Sequence, residues 1–167
     1  ILIDQLKLAI TSKTRAVCVV NYNGYGEDLA GISEYCREKN IFLIEDNAHG
    51  FGIVNKGKAL GTFGFASATS FGAQKNISCG EGGALFLQDC SLLSEAVDIS
   101  NYGANLSDFK AGRVSHYTWS KLGSNFKLSE FAAAILCAQL EGFNLITAHR
   151  KQLWYNYASS LAVWASK

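Results

Sequence analysis

The sequence predicts an α/β fold, a mainly parallel sheet flanked by helices. Three observations predict it. A strand-helix-strand unit fills residues 15–44, with the apolar runs Ala16-Val17-Cys18-Val19-Val20 and Ile41-Phe42-Leu43-Ile44 on either side of a helical stretch. Two further short strand-like segments, 66–71 and 83–87, bracket a loop that ends in Gly80-Glu81-Gly82-Gly83. From Ser129 onward the apolar residues recur at helical spacing.

Taken in order, residues 4–10 read as a short helix with Asp4 as its N-cap. Residues 15–20 read as a buried strand, and a loop containing Gly24 and Gly26 follows. Leu29, Ile32 and Cys36 mark one face of a helix that ends near Asn40. The run 41–44 is continuously apolar, which predicts a strand buried on both faces and ending before Glu45-Asp46. After the strands 66–71 and 83–87 comes a helix over 91–100, then a long polar loop over 101–122 of the kind that carries function. Ser129 and Glu130 suit a cap and a first-turn acid. Ala132, Ile135, Leu140 and Phe143 form a stripe on the helix they open, and a second helix is expected over 145–163.

The bulk properties exclude several classes of function. The 167 residues suffice for one domain with a core, and 49% apolar with 17% charged residues is a globular composition. A net charge of +1, with no run of Lys and Arg, gives no field that would draw nucleic acid or an acidic membrane. The longest apolar stretches fall far short of the ~20 residues that span a bilayer, and no signal peptide is visible. Five cysteines without CxxC spacing predict free thiols in a reducing, cytoplasmic setting. The chain lacks Met and opens on Ile1-Leu2-Ile3, as a stretch from inside a longer protein would.

Chemistry concentrates around Lys75, in Ser70-Phe71-Gly72-Ala73-Gln74-Lys75-Asn76. A lysine with a lowered pKa in a partly buried site is a candidate imine-forming amine, and the glycines after it permit close backbone approach and positive φ. Glu45-Asp46 ends an apolar strand, where ligands of open parallel sheets bind. An acid there can pair with a pyridinium, hold magnesium or cap a turn. A magnesium-nucleotide site would want a G-x-x-x-x-G-K-[ST] loop, which is absent. A strand-end carboxylate, a hydroxyl at Ser70 and the amine of Lys75 are together the parts that hold pyridoxal 5'-phosphate. His49 suits either the ring or phenolic oxygen of such a cofactor, or an ordinary loop position. No metal-ligand spacing links His49, His116 and His149. Gly123-Ser124-Asn125-Phe126-Lys127 precedes a helix and reads as a turn with a cap or as an anion contact.

Several segments act jointly: Phe42 to Gly50, Lys56 to Gly64, Ser70 to Asn76, Gly80 to Ala84, Tyr117-Thr118-Trp119, Leu122 to Glu130, Ala138 to Glu141 and Leu153 to Tyr157. In order and spacing they resemble the DegT/DnrJ/EryC1/StrS family of sugar aminotransferases, and the likeness runs along the whole chain. The resemblance implies the fold type I architecture of pyridoxal-phosphate-dependent transferases, with residues 1–167 forming the central part of the large domain. Lys75 would be the Schiff-base lysine, Asp46 the partner of the pyridine nitrogen and Ser70 a phosphate ligand. His49 would lie beside the cofactor ring, at a position where the family has Gln or His. Asn125 would reach the phosphate of a neighbouring subunit, which implies a homodimer with a shared active site. The expected reaction passes an amino group, usually from glutamate, to a nucleotide-linked keto sugar, for polysaccharide or cell-envelope sugar synthesis. Some relatives carry histidine at the lysine position and dehydrate instead, a branch that Lys75 argues against. An upstream Gly-Thr phosphate-binding turn and a small C-terminal domain would lie outside this stretch, which alone is expected to bind the cofactor poorly. Asn21 stands where relatives often have His.

Overall fold

The computed structural model describes residues 1–26 and 28–166. Helix α1 (Ile3–Ala9) starts one residue earlier than expected, so Asp4 lies in the first turn, beside the positive end of the helix dipole, rather than at the cap. Strand β1 (Ala16–Val20) buries Val17 and Val19 and turns Ala16, Cys18 and Val20 outward. Helix α2 (Leu29–Glu38) follows, with Leu29, Ile32 and Cys36 each 1% exposed, the face that their spacing predicts. It returns the chain to β2 (Phe42–Asp46), which pairs in parallel with β1 from Ala16↔Phe42 to Val20↔Asp46.

Two expectations for β2 are corrected. The strand runs through Glu45 and Asp46, because pairing with both neighbours extends that far. It is also buried on one face only: α1 and α2 pack over Leu43, while Phe42 on the other face is 53% exposed. A hairpin that the apolar pattern does not announce comes next, β3 (Val54–Asn55) and β4 (Lys58–Ala59). Its two turn residues, Lys56 and Gly57, have φ of 49° and 83°, the left-handed pair of a type I′ turn.

Strand β5 (Ala66–Ser70) pairs in parallel with β2, and β6 (Gly83–Leu87) pairs antiparallel with β5. The sheet order is β1-β2-β5-β6, so two of its three pairings are parallel. A 3₁₀ turn over Cys90–Leu92, capped by Asp89, leads into α3 (Leu93–Ser100).

The expected loop over 101–122 is more ordered than a polar, irregular stretch suggests. It holds helix α4 (Leu106–Lys110) and is stitched by buried side chains. Asn105 accepts from Thr118 N at 2.8 Å and donates to His116 O at 2.9 Å, and Asp98 accepts from Ser107 N at 3.1 Å. Helix α5 (Glu130–Glu141) carries the expected cap, since Ser129 Oγ accepts from Ala132 N at 3.2 Å. Helix α6 (Phe143–Ala165) begins directly after Gly142. Among the described residues no single helix is long and apolar enough to cross a membrane. The α5–α6 pair, bent by 68°, reaches that length and composition only jointly.

Two apolar clusters hold the fold. One joins α1, β1, α2 and β2 to Leu60 and Phe63. The other gathers Phe71, Ile77 and Cys79 against Leu136, Phe143 and Ile146, and so seats the Lys75 loop on α5 and α6.

Candidate functional site

A strand sends successive side chains to opposite faces, and this separates the adjacent acids of β2. Glu45 points inward and is fully buried. Its Oε1 accepts from Phe63 N at 2.6 Å and Gly64 N at 2.7 Å, and its Oε2 from Gly61 N at 2.8 Å and Asn21 Nδ2 at 3.0 Å. Four N–H donors occupy this carboxylate, so Glu45 fastens the 60–64 turn and is closed to ligands. Asn47, next on the same face, donates to Leu60 O and to Thr69 Oγ1, both at 3.2 Å, and accepts from Asn21 Nδ2 at 2.9 Å. Sequence reasoning left Glu45 paired with Asp46 as a candidate ligand and did not single out Asn47. The glycines at 61 and 64 are the only local hint of a turn wrapped around an acid.

Asp46 lies between these two anchors and faces the other way. Its Oδ1 accepts from Ala48 N at 3.1 Å. Its register partner is Ala68, and Ser70 lies two residues on, so Asp46 and Ser70 project from one face at the carboxyl ends of β2 and β5.

Ser70 Oγ accepts from Gly72 N at 3.2 Å, and Lys75 N donates to Gly72 O at 3.0 Å, which folds 70–75 into a tight turn. The return is fixed by Cys79 N to Phe71 O at 3.0 Å and by buried Ile77. Gly80 has φ of 89°, and a Cβ at Gly83 would stand 2.8 Å from Thr69 O, so glycine is required at both places. From α6, Arg150 Nη1 donates to Asn76 O at 2.6 Å, a contact spanning 74 residues of chain.

Lys75, Ser70 and His49 line one cleft of about 310 Å³, with Asn23 and Gln74. His49 Nδ1 accepts from Asn23 N at 3.2 Å, and its ring lies 5.1 Å from that of Tyr22. Asp46 stands at the end of β2, outside the lining of the cleft. Asn125 is not brought to it: it is exposed, bridges to Asn101, and its Oδ1 accepts from Lys127 N at 3.4 Å. His116 and His149 lie elsewhere and are exposed. Among the described residues no cluster of three His, Cys, Asp or Glu side chains could hold a metal ion.

An amine, a hydroxyl able to donate to an anion and a carboxylate on the hydroxyl's face form a donor set that fits pyridoxal phosphate. The fit concerns the aldehyde, the phosphate and the ring nitrogen in turn.

Residues 1–166 match the DegT/DnrJ/EryC1/StrS aminotransferase family. GDP-perosamine synthase of Escherichia coli O157:H7 is 31% identical over 151 residues, covering 90% of this chain and 40% of that protein. GDP-perosamine synthase of Vibrio cholerae is 31% identical over 160 residues, covering 96% and 42%. Among solved structures, Helicobacter pylori PseC, an aminotransferase involved in the biosynthesis of pseudoaminic acid, superposes with a TM-score of 0.82 at 26% identity, over 93% of this chain and 41% of that one. The chain spans about 40% of the length of the curated relatives it matches.

Proposed function

The chain belongs to the DegT/DnrJ/EryC1/StrS aminotransferase family, and on that premise we propose that it carries the lysine-bearing half-site of a pyridoxal-phosphate-dependent aminotransferase. The substrate is a nucleotide-linked 4-keto-6-deoxy sugar and the amino donor is glutamate. The observation that carries this reading is the cleft at the carboxyl ends of β2 and β5, lined by Lys75, Ser70 and His49.

Bound there, pyridoxal phosphate supplies an electron sink for the carbon that loses a proton. Each residue has a distinct task. Lys75 Nζ would hold the cofactor at its aldehyde carbon, and the same amine would be the base that takes and returns the proton at the substrate carbon. The Asp46 carboxylate, on the face that Ser70 shares, would hold a proton on the ring nitrogen. Ser70 Oγ already accepts from Gly72 N, so its own O–H is left to donate to a phosphate oxygen. Asn125, remote from this cleft, serves the phosphate of a second copy, which makes the working unit a homodimer. The product enters polysaccharide or cell-envelope sugar synthesis.

A magnesium site built on Glu45 and Asp46 is disfavoured by the pleat, which aims the two acids at opposite faces and gives Glu45 four N–H donors.

The test is reductive trapping. A longer parent protein containing this chain is mixed with pyridoxal phosphate, reduced with borohydride and digested. The reading expects a pyridoxyl group on the peptide containing Lys75, lost in Lys75→Ala. Equal labelling of the other lysines, unchanged by that substitution, would remove it. A longer parent protein, given glutamate and a panel of keto-sugar nucleotides, would then identify the sugar.

A further inference from the structure

We propose that the turn after β1 locks His49 in one tautomer, with the lone pair on Nδ1 and the proton on Nε2, so that the histidine serves the cleft as a hydrogen-bond donor and not as a base. The role assigned to the donor rests on the cofactor reading above; the tautomer itself does not.

The lock is built from the backbone. A 3₁₀ turn over Tyr22–Gly24 closes through Gly24 N to Asn21 O and Tyr25 N to Tyr22 O, both at 3.0 Å. Within it Asn23 has φ of 52° and ψ of 21°, and Gly24 has φ of 73°. Two successive left-handed residues are an uncommon backbone, which asparagine and glycine tolerate best. Strain of this kind gathers where function needs a particular geometry. Here it turns the Asn23 N–H onto His49 Nδ1 at 3.2 Å.

The root of the turn cannot drift. Asn21 is fully buried and its Nδ2 is shared between Glu45 and Asn47. The Tyr22 ring centroid lies 5.1 Å from that of the imidazole, tilted by 42°.

A backbone N–H can only donate, so the nitrogen facing it must carry a lone pair. A neutral imidazole has one proton, and that proton is therefore on Nε2. Both the other neutral form and the cation would set N–H against N–H. What His49 leaves for the cleft it lines with Lys75 is a single N–H, suited to an anionic or phenolic oxygen. It has no lone pair left to accept a proton from carbon, so proton movement falls to Lys75. Asn23 thus acts as a positioning residue through its backbone.

The test needs no cofactor. The full chain, labelled with ¹⁵N at the histidine rings and the backbone, is examined in mildly alkaline buffer by long-range ¹H–¹⁵N correlation, with His49 assigned by its loss in His49→Gln. The expected spectrum has an acceptor-type Nδ1 and a protonated Nε2 for His49, with a scalar coupling across the hydrogen bond from Asn23 N to His49 Nδ1. Exposed His149 supplies the tautomer-averaged reference. Asn23→Gly, which keeps the N–H and the left-handed φ, preserves the pattern. Asn23→Val, which resists that φ, moves the His49 nitrogens toward the averaged values while the melting temperature reports an intact fold. A protonated Nδ1, or a pattern unmoved in Asn23→Val, overturns the proposal. If the tautomer is fixed but Lys75 takes no pyridoxyl label in the longer parent protein, the lock stands and the cofactor reading fails.

Discussion

Glu45 and Asp46 are chemically alike and adjacent, yet the pleat gives one to the interior and the other to the opposite face, which Ser70 shares. Glu45→Gln would keep the shape but turn an amide N–H₂ toward backbone donors. It is expected to lower unfolding free energy by about 3 kcal/mol in urea titrations, since buried donors would lose a charged acceptor. Asp46→Asn keeps an acceptor for Ala48 N, so stability should stay within about 0.5 kcal/mol of the parent. On the proposed cofactor reading, borohydride trapping of pyridoxal phosphate on Lys75 in the longer parent protein should fall several-fold in the same variant, because the ring nitrogen would lose its acid. A pair of results in which Asp46→Asn unfolds the chain and Glu45→Gln does not would reverse these assignments. The sequence showed both acids and their position near a strand end. It could not show which is enclosed, because the donors to Glu45 come from residues 16 to 24 positions away.

At the scale of elements, α2 was legible because one periodicity suffices: Leu29, Ile32 and Cys36 lie on one face and are the buried ones. Ile32→Ala should cost about 3 kcal/mol by thermal or chemical denaturation, within the range for large-to-small changes in a core. The hairpin β3–β4 was missed because two-residue strands carry no alternation to read; only Gly57 after Lys56 marks its turn. The ordering of 101–122 was missed for another reason. Asn101 and Asn105 look like loop residues, but their partners lie 11 to 16 positions on, at His116, Tyr117 and Thr118. The Lys75 loop depends on α6 through Arg150. Arg150→Met removes a charge-assisted hydrogen bond of about 1.5 kcal/mol. Hydrogen exchange at the amides of Lys75 and Cys79 should then quicken roughly tenfold, the factor that about 1.4 kcal/mol represents. Unchanged exchange would show that buried Ile77 holds the loop unaided.

At the scale of the whole molecule, the cysteines report on packing. Cys18, Cys90 and Cys137 are exposed, while Cys36 and Cys79 are buried. Burial also pushes the Cys36 thiol up from its ordinary value, so less of it is reactive thiolate at a given pH. A disulfide reagent in mildly alkaline buffer should therefore consume three thiols quickly and the remaining two only after denaturant is added. Rapid loss of all five would mean that the α2 and Lys75-loop clusters open readily.

The sequence by itself determined the alternation of strands and helices, the family, and the segments bearing Asp46, His49, Ser70 and Lys75, because local periodicity and short motifs are properties of neighbouring residues. Only the tertiary structure decided that β6 runs antiparallel, that Glu45 is an internal fastener, that Asn125 lies apart from the cleft, and that Asn23 faces a histidine nitrogen. Each of these depends on strand register and on backbone donors far away in the chain, and a hydrogen bond between distant residues leaves no pattern in either stretch alone.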